Sequence, residues 1–244
     1  MTSLLIPDWP APPGIRALAT TRIGGVSAPP WHSFNLGDHV GDDPRAVAAN
    51  RALLNRQLPA APLWLSQVHG TRCVDAAAAA TVATGIEADA SFTRQRGVVC
   101  AVLTADCLPV LLCDERATVV AIAHVGWRGL AAGVIEATVG AMREPGASLM
   151  AWLGPAIGPQ AFEVGGEVRE TFVAHDPQAA QVFVAAPGGK WLCDIQRLAR
   201  QRLGALGIRR IAGADSCTVR DGERFFSYRR DGVTGRMASL IWLE

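Results

Sequence analysis

The sequence predicts one α+β domain over residues 1–244, with mixed rather than purely parallel strand pairing. Short apolar runs rich in β-branched residues alternate with apolar-periodic helical runs along the whole chain. Two of the short runs, Pro109 to Cys113 and Thr118 to Ala123, are separated only by the polar Asp114-Glu115-Arg116-Ala117. That spacing makes a hairpin and fixes antiparallel pairing at that point. No linker or composition break divides the 244 residues, and with 50% of them apolar a core is not limiting.

Taken in order, Ile15 to Thr20 suits a strand, and the glycine- and proline-punctuated T-T-R-I-G-G-V-S-A-P-P-W after it suits a loop. Asp43 caps a helix that has Pro44 at its first position and an alanine- and leucine-rich body running to Leu58. Pro59 to Pro62 stops it. L-W-L-S-Q-V-H-G predicts a strand finishing at His69, which places that histidine at a cleft. The Ala76 to Thr84 tract is low in complexity, a surface connection or frayed helix without chemistry. Val98 to Leu103 is a strand leading through T-A-D-C into the hairpin, and Gly129 to Arg143 is an apolar-periodic helix. Next come a strand at Leu149 to Leu153, a stiff G-P-A-I-G-P loop, a helix over about Glu167 to His175 and a strand at Val182 to Ala185. Asp194 caps a helix to Leu206 that Gly207 stops. Three short strands are expected in I-R-R-I-A-G-A-D-S-C-T, R-F-F-S-Y-R-R-D-G and T-G-R-M-A-S-L-I-W-L.

A net charge of +1 with both signs interspersed argues against nucleic acid or a membrane surface as partner. No run reaches the roughly 18 apolar residues of a membrane helix, and the proline-interrupted start has no basic leader. The expectation is a cytoplasmic, monomeric protein acting on a small molecule. Six cysteines without a C-x-x-C pair suit reduced, mostly buried thiols. Lys190 is the sole lysine, which argues against Schiff-base chemistry.

The chemistry concentrates between Thr104 and Gly129. Cys107 enters the first hairpin strand and His124 leaves the second, so an antiparallel pair puts them at one sheet edge. His69, at its own strand end, is the candidate third ligand. Two imidazoles and a thiolate suit zinc with a fourth position open, although the sequence spacing is looser than in a zinc finger. The rival reading is a Cys107 nucleophile with His124 or His69 as base. A plain buried thiol beside two surface histidines stays open as well. Asp106 is a general acid/base, a partner fixing a histidine tautomer, or a turn cap. G-W-R-G, Gly126 to Gly129, brings Arg128 and a helix N-terminus beside His124, a suitable anion cradle that its glycines let a ligand approach. His32, His39 and His175 are read as solvent-exposed or dipole-facing, His39 being the most site-like of the three. Arg229-Arg230 is a phosphate candidate against the commoner reading of a solvated pair.

T-T-R-I-G-G-V-S, F-N-L-G-D-H-V-G-D-D, S-Q-V-H-G, T-A-D-C-L-P-V, A-H-V-G-W-R-G, L-G-P-A-I-G-P, F-E-V-G-G-E-V and F-F-S-Y-R-R-D-G-V-T-G-R follow one another from about Thr20 to Trp242. Together they resemble the YfiH family, also called the laccase-domain or multicopper polyphenol oxidoreductase family. Val125 stands where alanine is expected in that family. The resemblance implies an α/β/β/α-type mixed-sheet fold like that of cytotoxic-necrotizing-toxin cysteine hydrolases. It also implies a metal held by His69, Cys107 and His124, zinc with Cu2+ possible in the same site.

The activity implied is phosphorolysis of adenosine, inosine and methylthioadenosine, with hydrolytic deamination of adenosine. The partners are then a purine nucleoside and phosphate. Arg128 is the expected phosphate holder, with Asn35, Arg22, Gln67 and Asp106 as further contacts. The chain lacks the H-x-E and P-C-x-x-C signature of cytidine-type deaminases, which leaves Asp106 as the nearest proton shuttle for deamination. Alternatives implied by the family are an amide hydrolase removing L-Ser from UDP-MurNAc-L-Ser and a copper polyphenol oxidase. Five histidines are too few for a blue-copper centre plus a histidine-rich copper cluster, which disfavours the oxidase. A metal-clamped nucleotide-binding protein without turnover is the non-enzymatic alternative.

Overall fold

Two sheets lie face to face between helices in this computed structural model, which describes residues 3–79, 81 and 85–244. The first sheet has the order β1 (Leu4–Leu5), β2 (Ile15–Thr20), β13 (Met237–Leu243), β5 (Val99–Thr104), antiparallel throughout. The second has the order β12 (Arg210–Gly213), β8 (Leu149–Leu153), β6 (Leu108–Asp114), β7 (Val120–Val125), β4 (Ala90–Thr93), β3 (Cys73–Asp75). Its outer pairs, β12 with β8 and β3 with β4, are parallel and its inner pairs antiparallel, so the pairing is mixed as expected. A small third sheet orders β10 (Phe183–Ala186), β11 (Lys190–Cys193), β9 (Glu163–Val164).

Strand alternation explains the layering. Leu111 and Cys113 of β6 face Cys100 and Val102 of β5 and Ile241 of β13, which forms the dry layer between the sheets. Leu108, Val110 and Leu112 point the other way, onto α4 (Val134–Met142), α5 (Gly166–His175) and α6 (Ile195–Ala205). The far side of the first sheet takes Leu54 of α1 (Pro44–Asn55) against Leu240 and Trp242. Every residue of β5, β6, β7, β8 and β13 is buried, which is why those strands read as continuous apolar runs.

Several expectations need correction. Leu63 to His69 forms no strand; it follows the sheets through isolated bridges, Leu63 with Cys100 and Ser66 with Glu87. The helix expected over Gly129 to Arg143 begins earlier and breaks. α3 (Trp127–Ala132) ends at Gly133, whose φ of 100° is left-handed, and α4 restarts from there. α1 stops at Asn55 rather than Leu58. The segment around Ser227 is a helical turn, α7 (Tyr228–Asp231), because the Ser227 hydroxyl accepts the Arg230 N–H as a cap. α2 (Ala76–Ala79) lies at the start of the alanine tract, whose residues 80 and 82–84 lie outside the described ones. Among the described residues no helix is long and apolar enough to cross a membrane.

Candidate metal centre

The hairpin delivers two of the three side chains as expected. Pro109 of β6 stands opposite His124 of β7, and Cys107 lies just before β6, at the same edge. β4 pairs with the other side of β7, Ala90 against Ala123, which carries the preceding Asp89 alongside His124. The third residue, His69, arrives on the irregular Val68–Gly70 segment rather than on a strand. One carboxylate holds that segment: Asp89 accepts the backbone N–H groups of Val68 (3.1 Å), His69 (2.9 Å) and Gly70 (2.7 Å). Three successive N–H groups on one anion form a concave nest. It secures His69 at a φ of 61°, a left-handed conformation that non-glycine residues adopt only when held.

His69, Cys107 and His124 each offer a ligand atom, all within 4.8 Å of one another. Cys107 Sγ is 3.7 Å from His69 Nε2, and the two imidazole rings meet edge-on with centroids 4.8 Å apart. His124 Nδ1 lies 2.8 Å from Asp89 Oδ1, so its Nε2 is the nitrogen left for the cluster. The glycines after His124 are spoken for. A Cβ on Gly126 would sit 2.6 Å from His69 Cδ2 and 3.1 Å from Cys107 Sγ, and one on Gly129 would sit 3.1 Å from the Gly70 carbonyl oxygen. The space their missing Cβ atoms leave is filled by the His69 segment and Cys107, while Gly126, Trp127 and Arg128 line the smaller of two cavities at the cluster. A single soft-borderline divalent ion fits this donor set.

The electrostatics single out one thiol. Burial pushes Cys73, Cys100, Cys113 and Cys193 up to about 12. Burial would raise Cys107 too, but the His124 charge and hydrogen bonds from both imidazoles outweigh it and bring the thiol down to about 6. For His124, burial is outweighed by the Cys107 thiolate and the Asp89 carboxylate, which lift it to about 9. Asp89 is held below its ordinary range: burial opposes ionisation, and His124 with the N–H groups of Gly70 and Val68 more than offsets it. Without an ion the pair is therefore thiolate and imidazolium, and the thiolate is the form that binds metal.

Two cavities meet at the cluster, sharing His69, Ala105, Cys107, Arg128 and Tyr228. The smaller, about 140 Å3, adds Trp127, Ile157, Phe162 and Ile195. The larger, about 530 Å3, adds His39, Gln67, Thr104 and Arg236. His39 lines the larger cavity while its side chain stays 59% exposed, and Arg128 lines both cavities.

Of the other candidates, Asp106, Gln67 and Arg229 line the cavities while Asn35, Arg22 and Arg230 do not. Asp106 is buried at the wall of the smaller cavity, one oxygen accepting the Thr218 hydroxyl (2.6 Å) and the other the Arg229 N–H (2.7 Å), so it ties Cys107 to the Arg229 turn and keeps one acceptor direction on each oxygen. Gln67 lines the larger cavity, but its amide is taken by the Leu103 backbone on both sides (2.8 and 2.7 Å), pinning the His69 segment to β5. Asn35 is fully buried, its amide shared among Gly37, Asp42 and the Arg236 N–H, and it touches neither cavity. Arg22 is turned to the carbonyls of His32 and Gly222 and lines a separate cleft with His32. Arg229 reaches the smaller cavity, while Arg230 is absorbed by Asp231 and the carbonyls of Thr218 and Phe225. His175 is exposed at the end of α5. Asp89, Arg236 and Phe162 were not singled out in the sequence. Their only local signal is a lone aspartate between alanines ahead of a β run, and an arginine directly before the last strand.

A profile of the family described as multi-copper polyphenol oxidoreductase laccase matches residues 16–244. The chain belongs to that family. It is 55% identical over the whole length of both chains to a protein of Pseudomonas aeruginosa named purine nucleoside phosphorylase, and 53% identical, again over both full lengths, to purine nucleoside phosphorylase YfiH of Escherichia coli. A crystal structure of a Neisseria meningitidis protein matches it with a TM-score of 0.95 at 50% identity, covering 99% of each chain. The mixed α/β arrangement is therefore that of its relatives. As for the copper in the laccase family's name, the described residues hold one potential ligand group, His69, Cys107 and His124, and the chain has five histidines in all. That donor set accommodates a single ion and not a multi-copper arrangement.

Proposed function

We propose that the protein is a metal-dependent purine nucleoside phosphorylase, with zinc as the ion and Cu2+ able to take the same site. The observation that carries this reading is the placement of the His69–Cys107–His124 cluster where an aromatic cavity and an arginine-bearing cavity meet. The names of the two relatives support it. Phosphorolysis needs a flat heterocycle, a ribose C1′ and a phosphate brought to one point. Trp127 and Phe162 offer faces for a purine, and Arg128 stands between the two cavities with a charge for phosphate. A bound ion supplies Lewis acidity to that junction. The C1′–N9 bond breaks with its electron pair going to the purine, which takes up a proton, while a phosphate oxygen forms the new bond to C1′. The chain's own residues orient the partners and exclude water. We take adenosine, inosine and methylthioadenosine as substrates.

Deamination of adenosine belongs to the same proposal as a second reaction, in which water adds to the purine C6 and the 6-amino group leaves as ammonia, giving inosine. Among the described residues Asp106 is the only carboxylate lining either cavity, and each of its oxygens already accepts a hydrogen bond. That supports placing phosphorolysis first. Removal of L-Ser from UDP-MurNAc-L-Ser is the second reading, supported by the larger cavity, whose arginines suit a diphosphate as well as phosphate.

The deciding experiment incubates protein of defined metal content with adenosine, with and without phosphate, and identifies the products. Adenine with ribose 1-phosphate is expected, and inosine would report the deaminase arm. Absence of both overturns the nucleoside reading and directs the assay to UDP-MurNAc-L-Ser. Should metal removal lower stability with no turnover to lose, the protein is a metal-clamped binder.

A further inference from the structure

An anion in this site needs positive charge that the protein has not already neutralised. α3 is six residues long and supplies little aligned dipole, so side chains must provide the charge. Arg16, Arg51, Arg94, Arg116, Arg202, Arg210, Arg224 and Arg230 all have a carboxylate within 4 Å. The two arginines of the larger cavity, Arg128 and Arg236, have none among the described residues. Arg128 lies over the Trp127 ring at 4.5 Å. Arg236 is half-buried and spends only one nitrogen on the protein: Nη1 donates to the carbonyls of Thr234 and Gly235, each at 3.0 Å. Those two bonds orient the guanidinium, and its Nε and Nη2 have no acceptor among the described residues.

The surroundings are arranged to seat this side chain. Met237 pairs with Thr104, so Arg236 falls beside Ala105 and close to Cys107. Asn35 Oδ1 accepts the Arg236 N–H at 2.8 Å. A Cβ on Gly37 would lie 2.8 Å from Arg236 Cγ, so the stem occupies the space that glycine leaves. The buried N-L-G motif, which reaches neither cavity, thus has a physical role in holding Arg236. Burial lowers the Arg236 pKa, with the charges of Cys107 and Asp106 pulling it back, as expected for a guanidinium short of water and of a counter-ion.

We propose that Arg236, with Arg128, forms the phosphate-holding subsite of the larger cavity, Asn35 and Gly37 acting as positioning residues through Arg236. This rests on the phosphorylase reading for its substrate, though not for its chemistry, since a guanidinium with its Nε and Nη2 free binds any phosphate monoanion or dianion in a forked geometry.

The test uses metal-loaded wild type, Arg236→Gln and Arg236→Lys, each checked for equal metal content and thermal unfolding, with inorganic phosphate as the probe. Titration calorimetry without nucleoside reads binding directly. Phosphorolysis then gives separate KM values for phosphate and nucleoside. Arg236→Gln should raise the phosphate KM and Kd about 10- to 100-fold, with the nucleoside KM held within about twofold. Arg236→Lys should recover only part, because it restores charge without the fork. An unchanged phosphate Kd and KM in folded, metal-loaded Arg236→Gln overturns the subsite. If wild type binds phosphate but turns over no nucleoside, the phosphorylase reading fails, and loss of that binding in Arg236→Gln still establishes the subsite. If wild type binds no phosphate, the subsite fails.

Discussion

Asp89 Oδ1 lies 2.8 Å from His124 Nδ1 and 2.9 Å from the backbone nitrogen of His69, so one buried oxygen sets both imidazoles of the cluster. Its partner oxygen completes the nest on Val68 and Gly70. The ligand triangle is organised from behind, by a residue that touches neither cavity.

Asp89→Asn tests this arrangement. The amide nitrogen replaces an acceptor with a donor, and wherever it points it faces N–H groups. Metal affinity should fall about 10- to 100-fold, and unfolding should cost roughly 2–3 kcal/mol less. Chelator competition and urea titration read the two effects. Wild-type affinity in this variant would show that the Val68–Gly70 segment keeps its place without the carboxylate.

Removal of the thiol should separate ligand from nucleophile. Cys107→Ala leaves two imidazoles, and bound metal should drop from one ion per chain to none, with turnover lost. The metal-free wild type should be equally inactive and regain activity on zinc addition. Activity that survives complete chelation in wild type, yet is absent in Cys107→Ala, would establish a nucleophilic cysteine instead.

The pH behaviour of the metal-free protein follows from the two opposed shifts. Cys107 is depressed from 9.0 to about 6, so its contribution to stability is present at high pH and is lost as pH falls through about 6. His124 is raised from 6.5 to about 9, so its contribution is present at low pH and is lost as pH rises through about 9. The two are mutual, and the thiolate–imidazolium pair therefore stabilises the fold only between about pH 6 and pH 9. Thiolate absorbance near 240 nm, taken as the difference from Cys107→Ser, should titrate well below the ordinary cysteine range. A midpoint near 9 would falsify the assignment of this pair.

How much of this was legible in sequence depended on whether the partners were neighbours along the chain. The hairpin carrying Cys107 and His124 was legible because Asp114, which accepts the Thr118 and Val119 N–H groups, closes a turn between two apolar runs. The buried strands were legible for the same reason of local pattern. Asp89 was not, because its partners Val68–Gly70 and His124 are brought to it by the β4–β7 pairing, and Ala-Asp-Ala looks like any short loop. Leu63 to His69 has the composition of a strand but finds only isolated bridge partners, so propensity yields to tertiary position. The break at Gly133 carried a signal, a glycine inside an apolar period, which helix periodicity alone overrode. Asn35 and Arg22 looked like site residues through their motifs, and the structure spends them on holding backbone.

The last prediction sets two glycines against each other. Gly126 has a φ of −75°, which any residue can adopt, so an alanine there fails only through contact. Its Cβ would press 2.6 Å from His69 Cδ2, so the ring or the whole Val68–Gly70 nest must move. Gly126→Ala should therefore lose metal binding and destabilise by about 1–3 kcal/mol. Gly140 lies exposed in α4 with nothing within 4 Å of a Cβ, and Gly140→Ala should stabilise by about 0.5–1 kcal/mol with metal content unchanged. Metal stoichiometry and urea unfolding of the two variants, side by side, separate the steric role of the first glycine from general glycine effects. Equal metal content in both would mean that His69 tolerates displacement and that the triangle is held less tightly than Asp89 implies.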